Sequence, residues 1–249
     1  MKIDIKKELL IAKKAALKAG NYLNENKKNL KEILSSTTKD IKLNADIASE
    51  KIIKNILSKE SKFEILAEES AEPFNGWPEY LWVVDPLDGT ANYEREIPLS
   101  CVSIALISDL EPLIGVIYDF NNNELYEGSV ITKALLNEQE ILVSQIDKSE
   151  EGILLTGLPN NTDYSDQALK IMIKNFQNWR KVRMIGSAAI ASTYIASGKA
   201  EAYSETKTYL WDIAAGAALV NAAGGKARIT NKNEKFQVDV LFSNSTLKL

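Results

Sequence analysis

The sequence predicts a mixed fold in which an α+β half is joined to an α/β half. Three observations point there. Apolar residues recur at helical spacing through the N-terminal segment. Short β-branched runs then follow one another with no helical pattern between them. From Ile153 onward, strand-like and helix-like segments alternate, the pattern of an α/β arrangement.

The elements follow in order. Ile5, Leu9, Ala12, Ala16, Ala19 and Leu23 form one stripe, so residues 5–29 read as a helix packed on a core rather than on a membrane surface, despite its lysines. Residues 46–59 read as a second helix. Strands are expected at residues 63–67, 81–85, 101–108, 113–118 and 124–128. Residues 137–151 are charged and polar, with a core signal only from Ile141 to Val143. We place a boundary there, between residues 1–145 and 146–249, as two halves of one domain. The second half reads as strand 153–156, helix 165–176, strand 181–184, helix 187–197, strand 200–203, helix 211–223 and strand 226–229.

Composition bounds the function. The 249 residues suffice for a sizeable core, and 45% hydrophobic content suits a globular chain. Thirty-four acidic against 30 basic residues give a net charge of -4, with no basic tract, so neither nucleic acid nor a polyanion surface is an expected partner. The single cysteine, Cys101, lies in an apolar run and reads as a buried thiol, so no disulfide framework exists and a reducing cytoplasm is expected. No stretch approaches the roughly 20 apolar residues of a spanning helix. Asp4, Lys6, Lys7 and Glu8 interrupt any secretory segment, and no membrane association is expected. The chain contains no histidine, which excludes Ser-His-Asp hydrolysis, histidine phosphatase chemistry and His-ligated zinc. A hydrolase of this composition must use carboxylates, hydroxyls, lysines or a metal.

The segment Trp82-Val83-Val84-Asp85-Pro86-Leu87-Asp88-Gly89-Thr90 carries the strongest chemical signal. A buried strand ends there in two carboxylates, a glycine and a threonine. Carboxylates and carbonyls are the ligands that Mg²⁺ prefers, and Asp85 and Asp88 can share one ion or bridge two. A capped turn is the alternative for this segment taken alone. The spacing is wrong for an EF-hand loop. An aspartyl-phosphate mechanism would need an aspartate where Pro86 stands. Two further acidic signals support a metal. Residues 63–67 run into Glu68-Glu69-Ser70, and Trp211-Asp212-Ile213-Ala214-Ala215-Gly216 opens an alanine-rich helix with Asp212 in its first turn.

Together these residues resemble the inositol monophosphatase family. Ala67-Glu68-Glu69-Ser70, the segment from Trp82 to Thr90, and the segment from Trp211 to Gly216 look like its three signatures, in order and at similar spacing. Asn44-Ala45-Asp46, Arg183-Met184-Ile185-Gly186-Ser187-Ala188-Ala189 and Ala202-Tyr203-Ser204-Glu205 match three further elements. The resemblance spans nearly the whole chain. It implies a layered α-β-α-β-α sugar-phosphatase fold, a site between the halves and a homodimer. It also implies a Mg²⁺-dependent, Li⁺-sensitive phosphate monoesterase using two or three ions. Glu68, Asp85 and the Leu87 carbonyl would hold one ion, and Asp85, Asp88 and Asp212 a second; Glu68 would touch a third.

The same resemblance implies the remaining roles. Thr90 orients the attacking water and Asp46 accepts from or orients the Thr90 hydroxyl; with Glu68 they form the catalytic set. Gly89, Thr90 and Ala91 offer backbone N–H groups to phosphate oxygens. Gly186, Ser187 and Ala188 match the leaving-group region, and Glu205 matches a carboxylate that binds substrate hydroxyls. Helix capping for Asp46 and a solvated strand end for Glu205 are the plain alternatives. Trp82 and Trp211 are expected in the core. The substrate is expected to be a small phosphate ester of an inositol, polyol or sugar. Asn92-Tyr93 and Ile97-Pro98 look like the inositol monophosphatase branch. Glu94-Arg95-Glu96, Ile97 in place of an aromatic, and Tyr209-Leu210 where a histidine is common depart from it. Bisphosphate nucleotidase, fructose-1,6-bisphosphatase and histidinol-phosphatase activities therefore remain open. So does a non-enzymatic role in binding transcription machinery, although the complete acidic set favours an enzyme.

Overall fold

The computed structural model describes residues 3–30, 33–36, 41–158 and 163–248. Helix α1 (Ile5–Glu25) buries the predicted stripe, and the Asp4 side chain caps it by accepting the Lys7 N–H at 3.1 Å. It ends at Glu25, short of residue 29, with Asn26 as its C-cap: the Asn26 N–H and Nδ2 both donate to Tyr22 O, at 3.1 and 2.9 Å. An unanticipated antiparallel ribbon, β1 (Ile33–Ser36) and β2 (Ile41–Leu43), leads into helix α2 (Asn44–Glu60). That helix begins before Asp46, so Asp46 is its third residue rather than its cap.

A seven-stranded sheet follows. It comprises β3 (Glu64–Ala67), β4 (Leu81–Asp88), β5 (Cys101–Ser108), β6 (Glu111–Asp119), β7 (Glu124–Ser129), β8 (Thr132–Leu136) and β9 (Gln139–Glu140), in that spatial order. A short helix, α3 (Thr90–Glu94), joins β4 to β5. Only the β3–β4 pair is parallel. Strands β8 and β9 were not anticipated: β8 is short, with only Ala134 fully buried, and β9 is two exposed polar residues. The sheet is buried on both faces. Trp82 and Val84 join the core beneath α1 and α2, while Leu81 and Val83 join the core on the opposite side. Each such side chain contributes about 1.5–3 kcal/mol on burial.

The second sheet comprises β10 (Ile153–Thr156), β11 (Lys181–Arg183), β12 (Ala202–Tyr209), β13 (Lys226–Thr230) and β14 (Gln237–Ser243), ordered β11-β10-β12-β14-β13. The helices between its strands are α4 (Asp166–Phe176), α5 (Ala188–Ala196) and α6 (Leu210–Ala222). Strand β14 corrects the sequence reading. It inserts antiparallel between β12 and β13, although Val238, Val240 and Phe242 alternate as a strand should. Strand β12 also runs well beyond residue 203, so Glu205 lies within a strand rather than at a solvated end.

The layers are therefore α1 and α2, the seven-stranded sheet, α5 and α6, the five-stranded sheet, and α4 outside. Phe176 of α4 packs against Leu154 and Ala202. This is the layered α-β-α-β-α fold. No helix among the described residues is long and apolar enough to cross a membrane.

Candidate active site

The site begins with an irregularity in β4. In a regular strand Asp85 and Asp88 would point to opposite faces. Instead Asp85 pairs with Ser103 and Asp88 with Cys101, so three steps on β4 match two on β5. This is a one-residue bulge, at a position where Pro86 has no N–H to give the ladder. The bulge turns both carboxylates to the face of Leu81 and Val83, where α6 packs. The strand therefore does not end at Asp85 as expected; it continues through the bulge to Asp88. The turn is held from behind, where Ser49 Oγ donates to Pro86 O at 2.6 Å and Leu87 N–H to Asp85 Oδ1 at 3.0 Å.

Gly89 follows with φ of 84°, the left-handed conformation that glycine adopts without strain, and turns the chain into α3. Thr90 then sits with Oγ1 3.0 Å from Leu87 O and 3.1 Å from Asp46 Oδ1. Asp46 is buried behind Thr90 and does not border the cavity. Its other oxygen accepts the Leu43 N–H at 2.6 Å. Burial, opposed by that hydrogen bond, moves the Asp46 pKa up to about 7.

Asp88 and Asp212 are each held by one oxygen. Asp88 Oδ2 accepts from Ser187 Oγ and from the Ala189 N–H at 2.8 Å, at the start of α5. Asp212 Oδ2 accepts from Thr208 Oγ1 at 2.7 Å and from the Tyr209 N–H at 3.0 Å, at the start of α6. Asp212 thus repeats the geometry of Asp46: each is the third residue of its helix, reaching back to the residue before it. Glu68 lies on a 3-10 turn after β3 and borders the same cavity as Asp85.

These groups line one cavity of about 520 Å³. Its wall contains Glu68, Asp85, Leu87, Asp88, Gly89, Thr90, Ala91, Gly186, Ser187, Ala188, Glu205 and Asp212, every predicted site residue except Asp46. Among the described residues of the wall there is no lysine or arginine. Burial, then mutual repulsion, holds Glu68 and Asp85 well above the usual carboxylate range and raises Asp212 to about 8. Asp88 is raised by burial against the pull of Ser187 and the α5 amides. Burial also raises Glu205, opposed by the Tyr203 hydroxyl. Among the described residues, no three such side chains already close around one point as metal ligands would. Each of these carboxylates is destabilised in its charged form. An all-oxygen, mutually repelling donor set, with Asp85 and Asp88 buried and Glu68 and Asp212 half-buried at the cavity wall, suits a hard divalent cation.

Sequence reasoning missed five lining residues: Thr156, Gly157, Leu158, Tyr203 and Thr208. Thr208 had a signal, a hydroxyl residue just upstream of a first-turn aspartate. The others face the cavity only because of how β10 and β12 pair. Asn92 was also missed as a structural tie: its Nδ2 donates to Leu99 O at 2.8 Å and Ile185 O at 2.9 Å, linking the α3 turn to the Gly186 turn. Trp82 and Trp211 lie in the core, as expected. Cys101 is a buried free thiol, with Sγ 3.8 Å from Asp88 Oδ2.

The chain is similar to known proteins over most of its length. The sequence pattern of the inositol monophosphatase family matches residues 4–246. The Nus factor SuhB of Xylella fastidiosa is 38% identical over 216 residues, covering 85% of this chain and 78% of that protein. An inositol monophosphatase of Dictyostelium discoideum is 34% identical over 183 residues, covering 71% and 66%. Among solved structures, the inositol monophosphatase of Anabaena (Nostoc) sp. PCC 7120 superposes with a TM-score of 0.83 at 32% identity, covering 98% of this chain and 93% of that one.

Proposed function

Because the chain belongs to the inositol monophosphatase family, we propose that it is a Mg²⁺-dependent phosphomonoesterase acting on inositol monophosphate or a related polyol or sugar phosphate. The observation that carries this reading is the set of carboxylates lining one cavity together with Thr90, whose hydroxyl is hydrogen-bonded to Asp46 behind it. Glu68, Asp85, the Leu87 carbonyl, Asp88 and Asp212 would hold two Mg²⁺ ions, and Glu68 would touch a third. Bound Mg²⁺ supplies the positive charge that lets a nucleophile approach a dianionic ester, and acidifies water at neutral pH.

The chain's own residues do the rest. Asp46 accepts the Thr90 hydroxyl proton, which leaves the Thr90 oxygen lone pairs to accept a proton from the attacking water. With Glu68 on the far side, that water is aimed in line at phosphorus. The N–H groups of Gly89, Thr90 and Ala91, at the start of α3, have no intrahelical acceptor and serve phosphate oxygens. Gly186, Ser187 and Ala188 border the leaving group, and Glu205 accepts hydrogen bonds from its hydroxyls. No protein nucleophile is needed.

The test is phosphate release, with Mg²⁺ and with EDTA, from inositol 1-phosphate, fructose 1,6-bisphosphate, histidinol phosphate and adenosine 3′,5′-bisphosphate. Mg²⁺-dependent release from a polyol phosphate is expected; no release from any ester would refute the reading. A second reading, binding to transcription machinery, is favoured by the designation of several relatives as Nus factors. It predicts capture of transcription proteins by native protein and by Asp88→Asn alike. Dimerisation and a cytoplasmic location accompany the first reading as proposals, the former tested by sedimentation.

A further inference from the structure

A second cavity, of about 660 Å³, lies at the other end of the strands that lead to Glu68 and Asp85. Phe63, just before β3, and Tyr80, just before β4, line it together, their ring centroids 5.2 Å apart. The first turn of α1 and the last turn of α2 complete it. At about 3.3 Å per residue along β4, Tyr80 stands about 16 Å from Asp85. Glu8 borders this cavity yet is only 5% exposed. It occupies the buried stripe of α1 between Ile5 and Ala12, where an apolar residue would be ordinary. A first-turn position suits a carboxylate on the helix dipole but does not account for its burial. Among the described residues nothing donates to Glu8 Oε2. A buried acceptor without a donor is rare in a folded protein, because its desolvation is left uncompensated.

We infer that this cavity binds a small organic cation with a primary ammonium group, its head on Glu8 and its carbon chain along Phe63 and Tyr80. Three features select that chemistry. The orphaned oxygen calls for an N–H or O–H donor. The charge of the lining favours a positive one, with five carboxylates against three lysines. None of those lysines hydrogen-bonds Glu8 Oε2, and Lys62 instead lies over the Phe63 ring, 5.5 Å from its centroid. The aromatic pair then supplies an apolar surface that attracts cations and suits the methylenes of an alkylammonium. A hydrated divalent metal would need several oxygens where these rings stand. The site is separate from the catalytic cavity and does not depend on the phosphatase reading.

The test titrates the whole chain, isotope-labelled, with pentylammonium, pentanol and pentanoate, three probes of one chain length and different heads. Saturating Mg²⁺ competes for the carboxylates of the catalytic cavity, and amide resonances report the two sites separately. Pentylammonium should move the amides of residues 4–8, 59–64 and 79–80 with a Kd in the millimolar range. Pentanol should bind there at least about tenfold more weakly, and pentanoate should leave those amides unmoved. Glu8→Gln is nearly isosteric and lies outside the catalytic groups. It should weaken pentylammonium about tenfold or more and leave phosphate release unchanged. If that variant does not fold, the ranking of the three probes on native protein decides. Unmoved amides at this cavity, equal affinities for pentylammonium and pentanol, or a Glu8→Gln protein that binds as tightly as native overturns the assignment. Such a failure leaves the phosphatase reading standing, since that reading is measured by phosphate release.

Discussion

Replacing Asp88 by asparagine should stabilise the metal-free protein while abolishing turnover. The asparagine side chain has nearly the volume of the aspartate, and its amide oxygen can still accept from Ser187 Oγ and the Ala189 N–H. What disappears is one charge among buried like charges. Two charges about 5 Å apart at an effective dielectric of about 20 repel by about 3 kcal/mol. Weakening two charge-assisted hydrogen bonds to neutral ones returns about 2 kcal/mol of that. The net gain is about 1 kcal/mol, which in a chain of this size raises Tm by about 2–4 °C.

The pH dependence has a definite sign. Asp212 is raised from 3.8 to about 8 in the folded state, so the folded metal-free protein binds more protons than the unfolded chain. Its stability therefore falls as pH rises from about 4 through about 8, and the advantage of Asp88→Asn grows over that window. Calorimetry in EDTA at pH 5 and pH 8.5, with phosphate release in Mg²⁺, measures both effects. An Asp88→Asn protein that melts lower than native in EDTA at pH 8.5, or keeps near-normal turnover, refutes the electrostatic argument.

Thr90→Val removes the hydroxyl between Leu87 O and Asp46 at nearly constant volume. Turnover should fall about 10²-fold or more and be restored by Thr90→Ser; rescue failing in kcat would remove Thr90 from the chemistry. Gly89→Ala combines a left-handed φ with a Cβ 2.6 Å from Leu99 O, so it should cost about 3 kcal/mol and lower Tm by about 6–12 °C, read by thermal denaturation. Asn92→Asp, nearly isosteric, would set a carboxylate against the Leu99 and Ile185 carbonyls. Loosening the α3 turn from the Gly186 turn should lower kcat about 10–100-fold in the Mg²⁺ assay, more than it raises KM.

Most elements were legible in the sequence because their signals are local. The stripe on α1, the apolar run of β4 and the alternation after Ile153 are set by side-chain periodicity, which survives in any tertiary context. The chemistry was legible for the same reason. The absence of histidine and the types Asp85, Asp88, Thr90 and Asp212 limit what the chain can do wherever those residues lie. Strands β8 and β9 were illegible because five and two residues are too short to show a period. Strand β14 had the period, but its place between β12 and β13 depends on contacts distant in sequence. Which residues meet was decided only by the tertiary structure. Whether Asp85 and Asp88 share a face depends on a bulge, which is a mismatch between two strands and exists in neither alone. Asp212 reaches that face because α6 packs between the sheets, and Tyr203 and Gly157 meet Glu205 because β10 pairs with β12. Residue type and period are carried by each short stretch of chain, whereas register and packing are properties of stretches brought together from afar.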